Sequence, residues 1–488
     1  MNQGSNTLKN EVILLAIRKE ELIRNYAQAI QNGNAAIFGG AGLSRASGFV
    51  DWKELLRPLA LDIGLDIDKE TDMLSVAQYY KNKRGNRTGI DQIILDAFSK
   101  DAQINENIRI LSRLPIFTYW TTNYDELIEN GIREANRNPD VKSESDQLPQ
   151  VRRDRDAIVY KMHGDVNRPS NAVLTREDYE RYEYRRPLFR TALKGDLLSK
   201  VFLFIGFSFE DPNFSNILSQ IHSLLDEKVP THYCFLKRFQ TKDFADREEY
   251  NYCKAKQDMQ EENLRKYGIQ TVFVDSYDEI TDILREIERV TKLHKIFISG
   301  SAHEYTAPWD NQKAEMLAAK LASALVQEGY RITSGFGLGL GSAIINGALD
   351  IIYSQKCGHI DEHLCIRPFP QNISNQNERE KRWKEYRESI IEETGISIFM
   401  FGNKEDPITK TTVIADGCIQ EFDIAKDKGN IIIPIGSTGY AAKNICDNVK
   451  CDLAAYPYLS GVIDDLETET DIDVIISLVL GIIKSQQP

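Results

Sequence analysis

Four short segments of this 488-residue chain combine residue types that can do chemistry, and each lies at the end of an apolar run. Gly39-Gly40-Ala41-Gly42-Leu43-Ser44 follows Ala35–Phe38, and Asn123-Tyr124-Asp125 follows Ile116–Thr122. His163-Gly164-Asp165 follows Ala157–Met162, and Gly206-Phe207-Ser208 closes Val201–Gly206. Glycines let a pyrophosphate approach the backbone, and a helix N-terminus after Ser44 would favour its negative charge. An amide, two carboxylates and an imidazole beside it can orient a sugar, polarise a water and move a proton. Each piece alone has a plainer reading: Gly-Ala-Gly can be a tight connection, and a lone histidine after a strand is more often structural. Their shared position carries the argument, because open parallel sheets bind ligands outside the carboxyl ends of their strands.

A second set of such residues lies further along. Ser299-Gly300-Ser301-Ala302 ends one apolar run, and Ser334-Gly335-Phe336-Gly337-Leu338-Gly339-Leu340-Gly341-Ser342 leaves another and enters a helical stretch. Successive glycine amides facing a helix N-terminus can cradle phosphate, the alternative being a flexible connector. The Lys-Ser/Thr of a P-loop is missing, which argues against ATP hydrolysis. Arg367, Arg382 and Lys404 supply cations near the ends of later strands or on the following helix, and Asp416-Gly417-Cys418-Ile419-Gln420-Glu421 comes after them.

The elements that must hold these residues alternate. Further strand runs are expected at His232–Leu236 and Gln270–Val274, with helical stretches such as Leu8–Ile30, Gly89–Phe98 and Asp211–Leu225. A charged helix over Ser276–Lys292 opens with the S-x-x-E spacing of a capping box, Ser276 and Glu279. A second alternating series then begins. Its strands are expected at Lys295–Ser299, Tyr330–Thr333, His363–Arg367, Ser397–Phe401 and Asn430–Ile435. Its helices are expected at Asn311–Glu328, Gly341–Tyr353, Asn377–Glu393 and Thr411–Lys428. The pattern predicts an α/β protein of two doubly wound domains, each a parallel sheet covered on both faces. The domains are expected at 1–285 and 294–488, with a linker at 286–293.

Composition narrows the class. Apolar residues at 42% with 27% charged belong to a folded chain, and the formal charge of −13 disfavours nucleic-acid binding. The basic cluster Arg181, Arg185, Arg186 and Arg190 with Tyr182 and Tyr184 is read as a solvated or subunit-contact surface. The run Val474–Ile483 is much shorter than the ~20 residues a membrane span needs and is read as a packing helix. Seven scattered cysteines without a C-x-x-C exclude a disulfide framework and a four-Cys zinc site. With no signal peptide read at the N-terminus, a cytoplasmic location is expected.

The first set of motifs resembles the sirtuins. Gly40-Ala41-Gly42-Leu43-Ser44 through Gly48-Phe49-Val50-Asp51-Trp52 is similar to the sirtuin NAD signature, and Thr121-Thr122-Asn123-Tyr124-Asp125 to its T-Q-N-I-D. His163-Gly164 resembles the catalytic H-G, and Gly206-Phe207-Ser208 the later G-T-S. The resemblance implies a sirtuin-like, Rossmann-type sheet with NAD as substrate. Gly40, Ala41, Gly42, Ser44, Asp51, Asn123, Asp125, Gly206 and Ser208 would bind NAD. Asn123 would hold the ribose and the attacking water, and His163 would be the general base, on water or through a ribose hydroxyl. The two C-x-x-C zinc pairs of sirtuin deacylases are absent between residues 165 and 205, which favours the NAD-hydrolysing relatives over protein deacylases.

The second half resembles sensory relatives of the phosphoribohydrolases, the SLOG domains, with Gly417 and Glu421 keeping the spacing of P-G-G-x-G-T-x-x-E while its Pro, Thr and two glycines are replaced. Gly300, Ser301, Gly337, Gly339, Arg382, Lys404, Gly417 and Glu421 would then hold an activating nucleotide. Together the halves resemble the NAD-hydrolysing effectors of Thoeris antiviral systems. That resemblance implies a cyclic ADP-ribose isomer, made by a partner TIR-domain protein, as activator, depletion of NAD on phage infection, and a homotetramer. A nucleotide-binding module without catalysis is the rival reading, disfavoured because Asn123 and His163 are both present. No cofactor beyond NAD as substrate, and no metal, is expected. Elemental analysis of the purified chain should therefore find no stoichiometric zinc. One zinc per chain, or efficient NAD-dependent turnover of an acetyl-lysine peptide, would restore the deacylase reading.

Overall fold

The computed structural model describes residues 17–99, 102–225, 230–355, 358–370 and 372–487. The start of the leading helix expected from Leu8 lies outside them, and its remainder is the helix Lys19–Gln31. The chain divides into two compact units, Met1–Glu288 and Arg289–Pro488.

The strands of the first unit are β1 (Ala35–Gly39), β2 (Thr118–Thr121), β3 (Pro139–Lys142), β4 (Ala157–Lys161), β5 (Val201–Ile205), β6 (His232–Lys237) and β7 (Ile269–Val274). They form one sheet in the order β3-β4-β2-β1-β5-β6-β7, with every pairing parallel. β1 reads Ala-Ala-Ile-Phe-Gly and is buried throughout, as a strand covered on both faces must be. The chain runs from β1 to β2 on one side and comes back at β5 on the other, so the β1/β5 gap is the topological switch point. The helices Trp52–Asp62, Met73–Arg84 and Thr88–Phe98 are inserted between β1 and β2 and enclose a small core of their own around Leu56, Val76 and Ile90.

β3 departs from the sequence-based expectation. Pro-Asp-Val-Lys has no apolar run to announce it, and pairing with β4 at the sheet edge makes it a strand. Its proline stands at the first position, where the missing N–H costs little, and its buried Asp140 and Lys142 neutralise each other at 2.9 Å. The basic cluster is also corrected in part. Arg186 and Tyr182 are buried, the Arg186 guanidinium donating to the carbonyls of Ser143 (2.5 Å) and Asn171 (3.0 Å). A planar fork of donors suits loose carbonyls better than water does, so this arginine braces the segment after His163. Tyr184 remains exposed.

The second unit has β8 (Lys295–Ser301), β9 (Arg331–Ser334), β10 (Leu364–Ile366) and β11 (Ile396–Phe401). The short strands β12 (Asn403–Glu405) and β13 (Thr412–Ile414) follow, and then β14 (Ile431–Ile435). The main sheet is parallel in the order β10-β9-β8-β11-β14, a doubly wound arrangement with β8 at its centre. The helix expected from Thr411 begins only at Asp416, because the β-branched Thr412-Val413-Ile414 pairs antiparallel with β12. His363 ends a short helix rather than starting β10. The run Val474–Ile483 is a packing helix, Ile472–Ser485, which buries Ile475, Val479, Ile482 and Ile483 against the helix Asn311–Gln327.

The chemistry-bearing end of the first sheet is held by a buried lysine. Lys161, the last residue of β4, has no solvent exposure and donates to the carbonyls of Tyr124 (3.1 Å) and Asp125 (2.7 Å). Its ammonium pairs with Glu129 at 2.9 Å and Asp165 at 2.5 Å. Burial alone would discharge it, but these two carboxylates outweigh that and hold it above the ordinary lysine range. One cation thus ties the loop after β2 to the loop after β4. We expect Lys161→Ala to cost about 3–5 kcal/mol, since it strands two buried carboxylates. Burial already raises Glu129 above its usual range. A carboxyl raised in the folded state carries no penalty while protonated, and lowers stability as pH climbs from its unfolded towards its folded value. The deficit should therefore be largest near neutrality and shrink towards acid, as read by urea midpoints between about pH 5 and 8. A deficit independent of pH would sink this account.

Candidate functional site

The glycines after β1 are required by a neighbour before any ligand is considered. Gly40 N–H donates to Ile205 O (3.0 Å) and Gly42 N–H to Gly206 O (2.9 Å), so the loops leaving β1 and β5 touch backbone to backbone. A Cβ at Gly40 would stand 2.4 Å from Gly206 O. Gly206 itself has φ +65°, and a Cβ there would meet Leu43 N at 2.1 Å. The short helix is Ala41–Arg45, so Ser44 lies inside it rather than ahead of it. Ala41 and Gly42 stay exposed, while Ser44 is buried.

Asn123, at the end of β2, crosses to this loop. Its Nδ2 donates to Gly40 O (2.9 Å) and to Ser44 Oγ (2.8 Å). Its own amide N–H is taken by Thr121 Oγ1 (3.0 Å). Asp125 is buried with it. One carboxylate oxygen accepts from Leu127 N–H (3.0 Å), and Oδ2 has no hydrogen-bond partner among the described residues. Burial pushes this carboxyl above its ordinary range, against the opposing influence of the Ser44 hydroxyl.

His163 follows β4 and is buried, its ring edge-on to Tyr179 (5.4 Å between centroids) and Tyr182 (6.4 Å). Nε2 lies 3.1 Å from Asp211 Oδ2, close but not in line for a hydrogen bond, and Nδ1 has no hydrogen-bond partner among the described residues. The structure thus gathers Gly40, Gly42, Ser44, Asn123 and Gly206 by direct contact, with Asp125 two residues beyond Asn123. Asp51 caps the helix Trp52–Asp62, accepting from Glu54 N–H (3.0 Å), and Ser208 is exposed. Two residues of the first unit were missed by sequence reasoning. Lys161 carried one signal, a charge at the end of an apolar strand. Asp211 carried none, since nothing in its spacing relates it to His163.

In the second unit the loops after β8 and β9 nest in the same way. Ala302 N–H donates to Leu338 O (2.8 Å), and a Cβ at Gly337 would fall 1.9 Å from Gly300 O. Gly339 has φ +78°, and Ser301 Oγ donates to Asn403 O (3.0 Å). Glu421 is buried and accepts from Ser299 Oγ (2.6 Å), with Arg387 Nε at 3.4 Å; burial raises its carboxyl. Gly417 leaves room for that guanidinium, whose nearest nitrogen would lie 2.7 Å from a Cβ there. Arg387, which packs over Phe369 at 4.8 Å, was not singled out in the sequence. Arg382 is exposed and paired with Glu378 (2.6 Å), Lys404 with Asp416 (2.7 Å) and Arg367 with Glu393 (2.9 Å). No group of three His, Cys, Asp or Glu among the described residues is placed to hold a metal, and no described helix is long and apolar enough to cross a membrane.

Comparison with known proteins matches each unit to a family. Residues 118–272 match a SIR2-like domain, and residues 279–486 match the Sir2- and TIR-associating SLOG family. The chain is 44% identical over 482 residues to the NAD(+) hydrolase ThsA of Enterococcus faecium, covering 96% of this chain and 99% of that protein. It is 46% identical over 443 residues to the NAD(+) hydrolase ThsA of Cytobacillus dafuensis, covering 89% of each. A partial likeness, 26% over 225 residues, links it to the defense-associated sirtuin 2 of Bacillus subtilis, covering 44% of this chain and 22% of that protein. Because the likeness runs through the second unit as well as the first, the chain belongs to the NAD(+) hydrolase ThsA family, with a sirtuin-like and a SLOG domain in one polypeptide.

Proposed function

We propose that the chain hydrolyses NAD to nicotinamide and ADP-ribose at the carboxyl edge of the first sheet. It does so in antiphage defence, under the control of a nucleotide bound to the second unit. The observation that carries the catalytic reading is the link from Asn123 to Gly40 and Ser44, across the strand ends that also carry Asp125 and His163. Gly40, Ala41, Gly42, Gly206 and Ser208 line the pyrophosphate path, Asp125 lies on the carboxamide side, and Asp51 is a further contact. The bond from nicotinamide N1 to ribose C1′ breaks, and its electron pair neutralises the pyridinium. Water adds to the oxocarbenium-like C1′, and His163 takes the proton that the water sheds. Asn123 holds the ribose and that water.

The activator is a cyclic ADP-ribose isomer made by a partner TIR-domain protein. The nested glycine loops at Gly300, Ser301, Gly337 and Gly339 receive its phosphates, with Arg382, Lys404, Gly417 and Glu421 around it. The match to a family described as Sir2- and TIR-associating supports this assignment. The enzyme works in the cytoplasm as a homotetramer assembled mainly through its first units, and it needs neither metal nor further cofactor.

Asn123→Ala and His163→Ala should each nearly abolish nicotinamide release by a folded protein, on the order of 10²–10⁴ for loss of the base alone. Normal turnover in both variants would remove the first unit from catalysis. A charge-assisted contact to phosphate acts on binding. Arg382→Ala, and to a lesser degree Lys404→Ala or Glu421→Ala, should therefore lose stimulation by the cyclic nucleotide and leave basal chemistry unchanged. Chromatography of NAD products with and without cyclic ADP-ribose isomers measures this, and Arg382→Ala responding normally would contradict the sensor assignment.

A further inference from the structure

Asp211 stands outside all four strand-end motifs, yet its carboxylate is placed as tightly as any group at this edge. It precedes the helix Pro212–Leu225, and Oδ1 caps that helix by accepting from Phe214 N–H (2.8 Å). Oδ2 accepts from the Tyr179 hydroxyl (3.1 Å) and lies 3.1 Å from His163 Nε2. Only 8% of the Asp211 side chain and 2% of that of His163 remain exposed. A helix cap needs one oxygen and works well in water, so capping explains Oδ1 and leaves Oδ2 unexplained.

We propose that Asp211 is a positioning residue for the NAD-cleaving reaction, holding His163 with its proton on Nε2 so that Nδ1 is the basic atom. This rests on the assignment of His163 as the base. A carboxylate beside one ring nitrogen favours the tautomer protonated there and leaves the other nitrogen's lone pair free. Neither ring nitrogen has a hydrogen-bond partner among the described residues, and Nε2 is the one that lies 3.1 Å from the carboxylate. When Nδ1 takes the proton from the attacking water, the imidazole becomes a cation, and the fixed negative charge of Asp211 stabilises it until the proton passes to solvent. Tyr179 keeps the carboxylate aimed. Burial tends to neutralise Asp211, but the nearby His163, together with the bonds from Phe214 and Tyr179, keeps it below the usual carboxylate range and so ionised.

The test is Asp211→Asn in the full chain, assayed by nicotinamide release from NAD, alone and with a cyclic ADP-ribose isomer. Asparagine retains the helix cap and most of the volume, removes the charge and turns the acceptor Oδ2 into an amide donor. We expect kcat to fall about 10- to 10²-fold with KM for NAD nearly unchanged, a smaller loss than removal of the base. Combined with His163→Ala, the same substitution should cause no further loss, because it acts through that ring. Wild-type kcat in Asp211→Asn, or a loss that multiplies fully with that of His163→Ala, would overturn the proposal. Should Asp211→Asn fail to fold, Tyr179→Phe decides, since it leaves both cap and carboxylate in place. A lower kcat at constant KM then supports the proposal, and unchanged kcat refutes it. If His163→Ala itself turns over normally, the assignment of the base fails first, which separates the two readings.

Discussion

The loops leaving β1 and β5 meet backbone to backbone at the sheet's switch point, and the placement of the whole site follows from that contact. Side chains at Gly40, Gly42 or Gly206 would lie inside the van der Waals radius of the opposite loop. With all three absent, the amides of Gly40 and Gly42 reach the carbonyls of Ile205 and Gly206, and the short helix Ala41–Arg45 is pinned in the cleft. Asn123 can then span from β2 to Gly40 and Ser44. The glycines are thus required by the protein's own backbone, which closes only where no side chain intervenes.

Buried charge does the rest of the positioning. Lys161 and Asp211 each sit where an isolated ion could not remain ionised, and each is kept so by partners on other elements. Lys161 gathers Glu129, Asp165 and two carbonyls from the loop after β2, so that loop is tied to the one after β4. Asp211 joins the loop after β5 to His163. Such ion pairs contribute little net stability compared with apolar packing, but they are unforgiving of rearrangement, which is what a site assembled from several strand ends requires.

The second unit repeats the device of nested glycine loops with different surroundings. Gly337 approaches Gly300 as Gly206 approaches Gly42, and the buried Glu421 is held by Ser299 and Arg387. Its exposed cations, Arg382 and Lys404, are held only by carboxylates on the surface. Such pairs are weak and screened in water.

Two parallel sheets, their order of elements and the loops that carry the glycines, Asn123 and His163 were legible in the sequence. Buried parallel strands must be apolar on both faces, and motifs at their carboxyl ends keep fixed local spacing. Local patterns could not show β3, which is polar and exists through its partner β4, nor the strand Thr412–Ile414 inside an apparent helix. They placed Arg186 at the surface, when it serves carbonyls of the interior. Arg382 stood out, while Arg387, five residues on, took the place beside Glu421. Lys161, Asp211 and Arg387 owe their roles to groups tens of residues away in the chain. Sequence determines which residues lie at a strand end. Which buried charges face each other there is decided by tertiary packing, because an ion survives in the interior only where distant elements bring its counter-charge within bonding distance.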